Sequence, residues 1–274
     1  MISVILCYET DTNNGGGKMR MLSLFSGIGG IDLAAQWAGI ETVAFCEIDP
    51  FCQKVLKKHW PEVAIFDDVT KLSASSLQHA GIQTESIDIV TGGFPCQPHS
   101  ISGKRLASND ERDLWGENRR IISEINPRWY LGENVPGLLS SESGRFFGRV
   151  LRDLAEMGYT AGWLCFGADT TGSVQGGERV YIVAASDSVR RSRPLSGFEQ
   201  TKKIYEARTS IKMAADRTSG YAYQGRIWPA APGIRRVADG IPYRVDRLRV
   251  IGNAVDPRQI YPILAAIAEI EKGS

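Results

Sequence analysis

Between Met21 and Ala184, short apolar runs alternate with stretches whose apolar side chains recur every three or four positions. This alternation constrains the fold more than any other feature. A strand, a helix and a further strand form the repeating unit of a mostly parallel sheet covered on both faces. The strand candidates are 21–25, 42–47, 63–66, 87–91, 129–133, 162–167 and 179–184. Helical patterns fall at 30–38, 50–59 and 114–125, and Phe146, Val150, Leu151, Leu154 and Met157 give another helix an apolar stripe. The expected fold class is therefore α/β, a doubly wound and mostly parallel seven-stranded sheet. The last two strands are joined by only about a dozen residues without helical pattern, so an antiparallel hairpin at one edge is expected, because a parallel crossover needs more chain.

Outside this pattern the composition changes. Residues 1–20 end in Asn13-Asn14-Gly15-Gly16-Gly17 and read as a flexible leader, with an extra edge strand from Ile2 to Cys7 as the competing reading. Residues 185–240 hold eleven Lys/Arg against five Asp/Glu although the whole chain of 274 residues carries a net charge of only +1. The remainder is thus net acidic, and the split suits a catalytic body with a small phosphate-facing insert. Ile260, Ile263, Leu264, Ile267 and Ile270 then mark a final amphipathic helix. The expected division is a leader at 1–20, a catalytic domain at 21–184 plus 250–274, and a small basic region at 185–249. No apolar run is long enough to cross a bilayer, so a soluble, cytoplasmic protein is expected. The five cysteines form an odd set without a CxxC pair, which argues against a disulfide framework and against structural zinc.

Groups suited to chemistry stand where strands end. Phe25-Ser26-Gly27-Ile28-Gly29-Gly30 lies where a strand turns into a helix; its glycines let backbone lie against a ligand, and a helix start offers free N–H groups. Alone it is weak, since Asp32 stands where the dinucleotide fingerprint has its third glycine and no Gly-Lys-Ser/Thr ending follows. A bare turn, or a nicotinamide dehydrogenase, would share it. Glu47 ends the second strand and can accept hydrogen bonds from both ribose hydroxyls; Asp68 closes the third and can accept from an adenine amino group. Singly, each carboxylate reads as a solvated loop charge. Three successive strand ends with ligand-suited groups favour a nucleoside, because open α/β sheets bind ligands across that edge.

The strongest element is Gly92-Gly93-Phe94-Pro95-Cys96-Gln97-Pro98. Cys46, Cys52 and Cys165 fit small buried hydrophobes, whereas Cys96 sits on a loop stiffened by glycines and prolines beyond a strand, as a nucleophile would. At the next strand end, Glu133 opens Glu133-Asn134-Val135-Pro136; in a semi-enclosed pocket its carboxyl can stay protonated and donate. A thiolate beside an acid suits attack on an electron-poor ring that is protonated as sulfur adds. Cytosine meets that demand.

Together these motifs resemble the DNA (cytosine-5) methyltransferases of bacterial or phage type. The likeness runs from Met21 to the C-terminus apart from the basic insert. It is carried by Phe25 through Gly30, Glu47-Ile48-Asp49, Asp68-Val69, Phe94-Pro95-Cys96-Gln97, Glu133-Asn134-Val135, Gln175 through Arg179 leading into Val180-Tyr181-Ile182-Val183, and Gly252-Asn253-Ala254-Val255-Asp256-Pro257. The resemblance implies a Rossmann-like fold and S-adenosylmethionine as methyl donor. Its pocket would be formed by Phe25, Ser26, Gly27, Ile28, Gly29 and Gly30, with Glu47 on the ribose, Ile48 against adenine, Asp68 at the amino group, and Val69, Pro95, Asn253, Ala254 and Val255 completing it. It also implies that Cys96 adds to carbon 6 of a flipped-out cytosine, that Glu133 holds ring nitrogen 3 and the exocyclic amine, that Arg179 lies near the sulfur and the base oxygen, and that no metal is needed. Extruding the base costs roughly a few kcal/mol, which phosphate contacts from the basic insert would offset. The insert's arginines, Gln200 and Gln224 are candidate base readers, while Tyr221, Tyr223 and Trp228 equally suit a small core.

The partners implied are double-stranded DNA and, if the chain belongs to a restriction-modification pair, a cognate endonuclease; a monomer associated with the nucleoid is expected. Two positions depart from the family. Gly177 stands where many relatives carry an arginine two places before Arg179, and Val174 where proline is common. A more mobile loop and weaker transition-state support are the expected consequences. A transfer-RNA cytosine methyltransferase and a DNA-binding relative with weakened chemistry are the alternatives.

Overall fold

A computed structural model describes residues 17–95, 114–168, 177–192, 222–223, 226–227 and 254–272, and for 190–192 and the two dipeptides the backbone alone. Seven strands form one sheet: β1 (Arg20–Leu24), β2 (Glu41–Cys46), β3 (Ala64–Phe66), β4 (Ile89–Gly92), β5 (Trp129–Asn134), β6 (Tyr159–Gly167) and β7 (Glu178–Ser186). Their order is β3-β2-β1-β4-β5-β7-β6, with β7 antiparallel to both neighbours and the other described pairings parallel. The α/β class, the seven strands and the edge hairpin agree with the sequence reading. The Ala222–Tyr223 and Arg226–Ile227 dipeptides pair antiparallel within the proposed insert.

Helices α1 (Gly30–Trp37), α2 (Pro50–His59), α3 (Ala74–His79), α4 (Trp115–Ile125), α5 (Gly137–Ser140), α6 (Arg145–Glu156), α7 (Asp187–Ser192) and α8 (Pro257–Lys272) connect or follow the strands. The apolar faces of α3, α4 and α6 close one core through Leu77, Ile121, Ile122, Val150 and Leu154 against Leu22, Val90 and Ile182. Those of α1 and α8 close the other through Ala34, Ala35, Ile260, Ile263 and Ile267 against Met21, Ile89 and Leu131. The sequence pattern passed over α3, α5 and α7. Helix α3 has six residues and only Leu77 buried, and it starts through reciprocal Ser73 and Ser76 caps rather than an apolar stripe.

Two predicted boundaries move. Met19 already packs on the second core, its carbonyl accepts from Glu41 N at 2.9 Å, and Arg20 is in β1, so the last residues of the 1–20 leader belong to the sheet. At the other end, Ala185 pairs with Trp129 and Ser186 with Tyr159, so β7 extends into the 185–249 region. Residues 1–16 and most of 193–253 lie outside the described residues.

Buried polar pairs fix how the helices sit. Asp32 accepts from Ser23 Oγ at 3.1 Å and Thr42 Oγ1 at 3.0 Å, tying α1 to β1 and β2, and burial pushes its carboxyl up to about 6. At the far end of α8, Glu271 accepts from the Trp129 indole at 2.8 Å and pairs with Arg128 Nη2 at 2.6 Å. Glu271→Ala leaves the buried indole N–H without its acceptor and is expected to cost about 1–3 kcal/mol, read as a lower Tm. An unchanged Tm would show that this end of α8 carries no load.

Candidate active site

At the carboxyl ends of β1 and β4 the chain departs toward opposite halves of the sheet. That is the topological switch at which an open α/β sheet leaves a ligand crevice. The loop after β1 forms one wall. Phe25 and Gly27 adopt positive φ of 54° and 55°, and Gly29, also left-handed at 83°, starts α1 without any side-chain cap. Gly30 meets the loop before α8, where any Cβ would run into the Val255 carbonyl oxygen. Gly30 has ordinary helical backbone, so Gly30→Ala should favour the helix intrinsically yet force the two walls apart. A loss of donor affinity of roughly 10-fold or more is expected by equilibrium binding; unchanged affinity would remove Gly30 from the pocket.

Glu47, at the end of β2, is nine-tenths buried, and its carboxylate already holds the crevice together. Oε2 accepts from Gly27 N at 2.7 Å and Oε1 from Asp49 N at 2.8 Å, joining the glycine loop to the start of α2. A carboxylate has about four acceptor sites, so two stay available to a sugar diol. Beside it Ile48 is 77% exposed, an apolar surface suited to a flat ring. Asp68 accepts from Thr70 N at 2.9 Å and Thr70 Oγ1 at 2.6 Å and pairs with Lys71, and the Thr70 bonds, more than Lys71, hold its carboxyl below the usual range. The Val69 side chain packs in the first core, and its carbonyl accepts from Arg120 Nη2 at 2.9 Å.

The other wall is built by β4, β5 and β7. Gly92 and Gly93 are closely approached: a Cβ on Gly92 would strike Asn118 Oδ1, and one on Gly93 would lie 3.2 Å from Glu133 Oε2. Phe94 is buried between Trp115 and Phe146, with ring centroids 5.4 Å and 6.4 Å away. Its carbonyl accepts from Asn134 Nδ2 at 2.9 Å, and Asn134 Oδ1 accepts from Val135 N at 2.9 Å. Asn134, given no role by the sequence reading, therefore pins the backbone two residues before Cys96. Pro95 is exposed at the rim; Cys96 and Asn253 lie outside the described residues, while Ala254 and Val255 stand half-buried at the crevice.

Glu133 and Arg179 meet in the structure. Arg179 Nε lies 2.9 Å from Glu133 Oε1, with both side chains largely buried, and Arg179 Nη1 donates to the Glu178 carbonyl at 2.9 Å. Burial pushes the Glu133 carboxyl up to about 7 although Arg179 pulls it down, so near neutrality it is present both as acid and as carboxylate. The Gly177 carbonyl accepts from Ala168 N at 3.2 Å and from Gln259 Nε2 at 3.0 Å, so the backbone expected to loosen before Arg179 is held at that point. Of the other cysteines, Cys46 and Cys52 are buried and Cys165 is half-buried, and burial pushes the Cys46 thiol up to about 12.

The sequence model described as C-5 cytosine-specific DNA methylase matches residues 19–237. The chain belongs to this family. Among curated members, the Type II methyltransferase M.Eco47II of Escherichia coli is 37% identical over 56% of this chain and 36% of its own length. M2.BsuMI of Bacillus subtilis is 34% identical over 61% of this chain and 42% of its own. The chain thus spans less than half the length of these relatives. Among solved structures, a prophage-encoded E. coli protein described as a DNA modification methyltransferase superposes with a TM-score of 0.56 at 25% identity, covering 63% of this chain and 48% of that one. The Spodoptera frugiperda DNMT2 does so with a TM-score of 0.50 at 25% identity, covering 62% and 50%. Membership of this methylase family, its Rossmann-like sheet and the bacterial or phage kinship agree with the resemblance read from the motifs.

Proposed function

We propose that this methylase-family chain transfers a methyl group from S-adenosylmethionine to carbon 5 of a flipped-out cytosine in duplex DNA, by way of Cys96. The observation that carries this reading is the Glu133–Arg179 pair, set against Gly93 at the root of the cysteine loop, with a carboxyl raised to about 7. The crevice fits the donor: a backbone cradle that no Cβ could enter at Gly30, spare acceptors on Glu47 and the bare apolar face of Ile48. Glu47 would hold the ribose, Ile48 the adenine, Asp68 its amino group, and Asn253 to Val255 the amino-acid end. When bound, the donor supplies an electrophilic methyl group on a positively charged sulfur.

The remaining work falls to side chains of this chain. The Cys96 thiolate forms a bond to carbon 6 as the 5,6 double bond opens, and Glu133 supplies the proton that ring nitrogen 3 needs as electron density arrives there. Carbon 5 becomes the nucleophile. Loss of its proton to a base then re-forms the double bond, expels the thiolate and returns the nitrogen-3 proton to Glu133. Arg179 holds Glu133 in place and keeps positive charge beside the incoming sulfur, which favours the thiolate.

We assign phosphate and base contacts to the basic region that follows β7 and runs to residue 249, with residues before Met19 as a leader outside the catalytic body and with a restriction endonuclease as the functional counterpart. Among the described residues no helix is long and apolar enough to cross a membrane. Transfer of labelled methyl from S-adenosylmethionine to duplex DNA and to transfer RNA tests the assignment. Labelling of DNA is expected, and labelling of RNA alone would overturn it.

A further inference from the structure

Gln259 received no role from the sequence motifs, yet it bonds the backbone two residues before Arg179. It lies in the first turn of α8, is 2% exposed, and its Nε2 donates to the Phe166 carbonyl at 2.7 Å and to the Gly177 carbonyl at 3.0 Å. Both carbonyls lie near the loop end of the β6–β7 hairpin. Phe166 is the register partner of Arg179, and the ladder ends where Gly167 meets Glu178. Gly177 is therefore just outside the ladder and has no side chain to anchor it; its carbonyl is held by Ala168 N at 3.2 Å and by Gln259.

The position of Arg179 depends on that backbone. Its Nη1 donates to the Glu178 carbonyl, and its guanidinium lies so close over Gly177 that a Cβ there would be 3.3 Å from Nη1. A shift of residues 177 and 178 would carry the guanidinium with it, away from Glu133 Oε1. The same start of α8 follows Val255, whose carbonyl abuts Gly30 on the donor side. One short stretch of chain thus borders both halves of the crevice.

We propose that Gln259 is a positioning residue for the cytosine pocket, stapling the glycine-bearing start of β7 so that Arg179 stays on Glu133. The proposal rests on the roles given above to Glu133 and Arg179. Among the described residues, Tyr181, the cross-strand partner of Glu133, interacts electrostatically with Glu133, Arg179 and Asp256, the last just before α8.

Two variants test it. Gln259→Met keeps length and bulk but removes both donors; Gln259→Glu keeps the shape and turns an acceptor toward two carbonyls. Donor Kd and single-turnover transfer to duplex DNA would be followed across pH, alone and combined with Arg179→Lys. The expected result is a donor Kd within roughly 3-fold of wild type and a transfer rate lower by roughly 10- to 100-fold, the scale of hydrogen bonds felt mainly in the reacting complex. The high-pH limb should move upward as it does in Arg179→Lys, and the double variant should be no slower than Arg179→Lys alone. Wild-type rate and limb, losses that multiply in the double variant, or donor binding lost in step with rate in both variants would overturn it. Full activity of Arg179→Ala would instead refute the pocket reading itself, and the staple with it.

Discussion

Cys96→Ser is expected to abolish methyl transfer while donor and DNA binding persist. At neutral pH a thiol is a few per cent ionised and its anion is strongly nucleophilic, whereas a serine hydroxyl has essentially no anion to offer. Without the sulfur–carbon 6 bond, carbon 5 of cytosine has too little electron density to react. The loss should be on the order of 10⁴-fold or more in the single-turnover rate, the size seen when a covalent nucleophile is removed. Binding is spared because the backbone before Cys96 is set elsewhere, by Phe94 between Trp115 and Phe146 and by Asn134 on the Phe94 carbonyl. Near-wild-type transfer by the serine variant would eliminate the covalent route.

Glu133→Gln should be the next most damaging change. The amide keeps the volume beside Gly93 but cannot give a proton to ring nitrogen 3 and take it back, and it leaves the Arg179 guanidinium without its counter-charge. A loss of roughly 10²–10⁴-fold is expected, the usual worth of a positioned acid. The pH dependence is the sharper test. In the wild type the protonated carboxyl is the working form, so transfer should fall as pH rises through about 7, and that limb should vanish in Glu133→Gln. Arg179→Lys weakens the interactions that lower this carboxyl's pKa, so its limb should lie higher. Stability follows the same proton. Between the ordinary carboxylate range and about 7 the native state holds a proton that the unfolded chain has released, so the contribution of Glu133 is present at acid pH and is lost as pH rises through that window. A pH profile identical in wild type and Glu133→Gln would remove the acid role.

Much of this was legible in the sequence because its signals are local. Alternating apolar runs gave all seven strands, and the short link after β6 gave the hairpin. The residues that make the pocket work together were harder to read because their partners are distant in the chain. Glu47 reads as a ribose acceptor, yet it also holds Gly27 and Asp49, a duty visible only when β1 and β2 lie side by side. Val69 adjoins Asp68 in sequence but turns into the core. Gln259 meets Phe166 and Gly177 from 93 and 82 residues away, and within α8 it reads as an ordinary polar residue. Gly177, judged by its neighbours in sequence, reads as a loosening of the chain, whereas its carbonyl accepts from Ala168 N and Gln259 Nε2.

The most direct test is mass-spectrometric mapping of the protein after reaction with mixed-sequence duplex DNA in which 5-fluorocytosine replaces cytosine, with S-adenosylmethionine present. Fluorine at carbon 5 blocks the elimination that would release the enzyme, so a denaturation-resistant adduct should accumulate and its DNA-linked peptide should contain Cys96. An enzyme that methylates ordinary DNA yet forms no adduct, or forms one through another residue, would contradict the account.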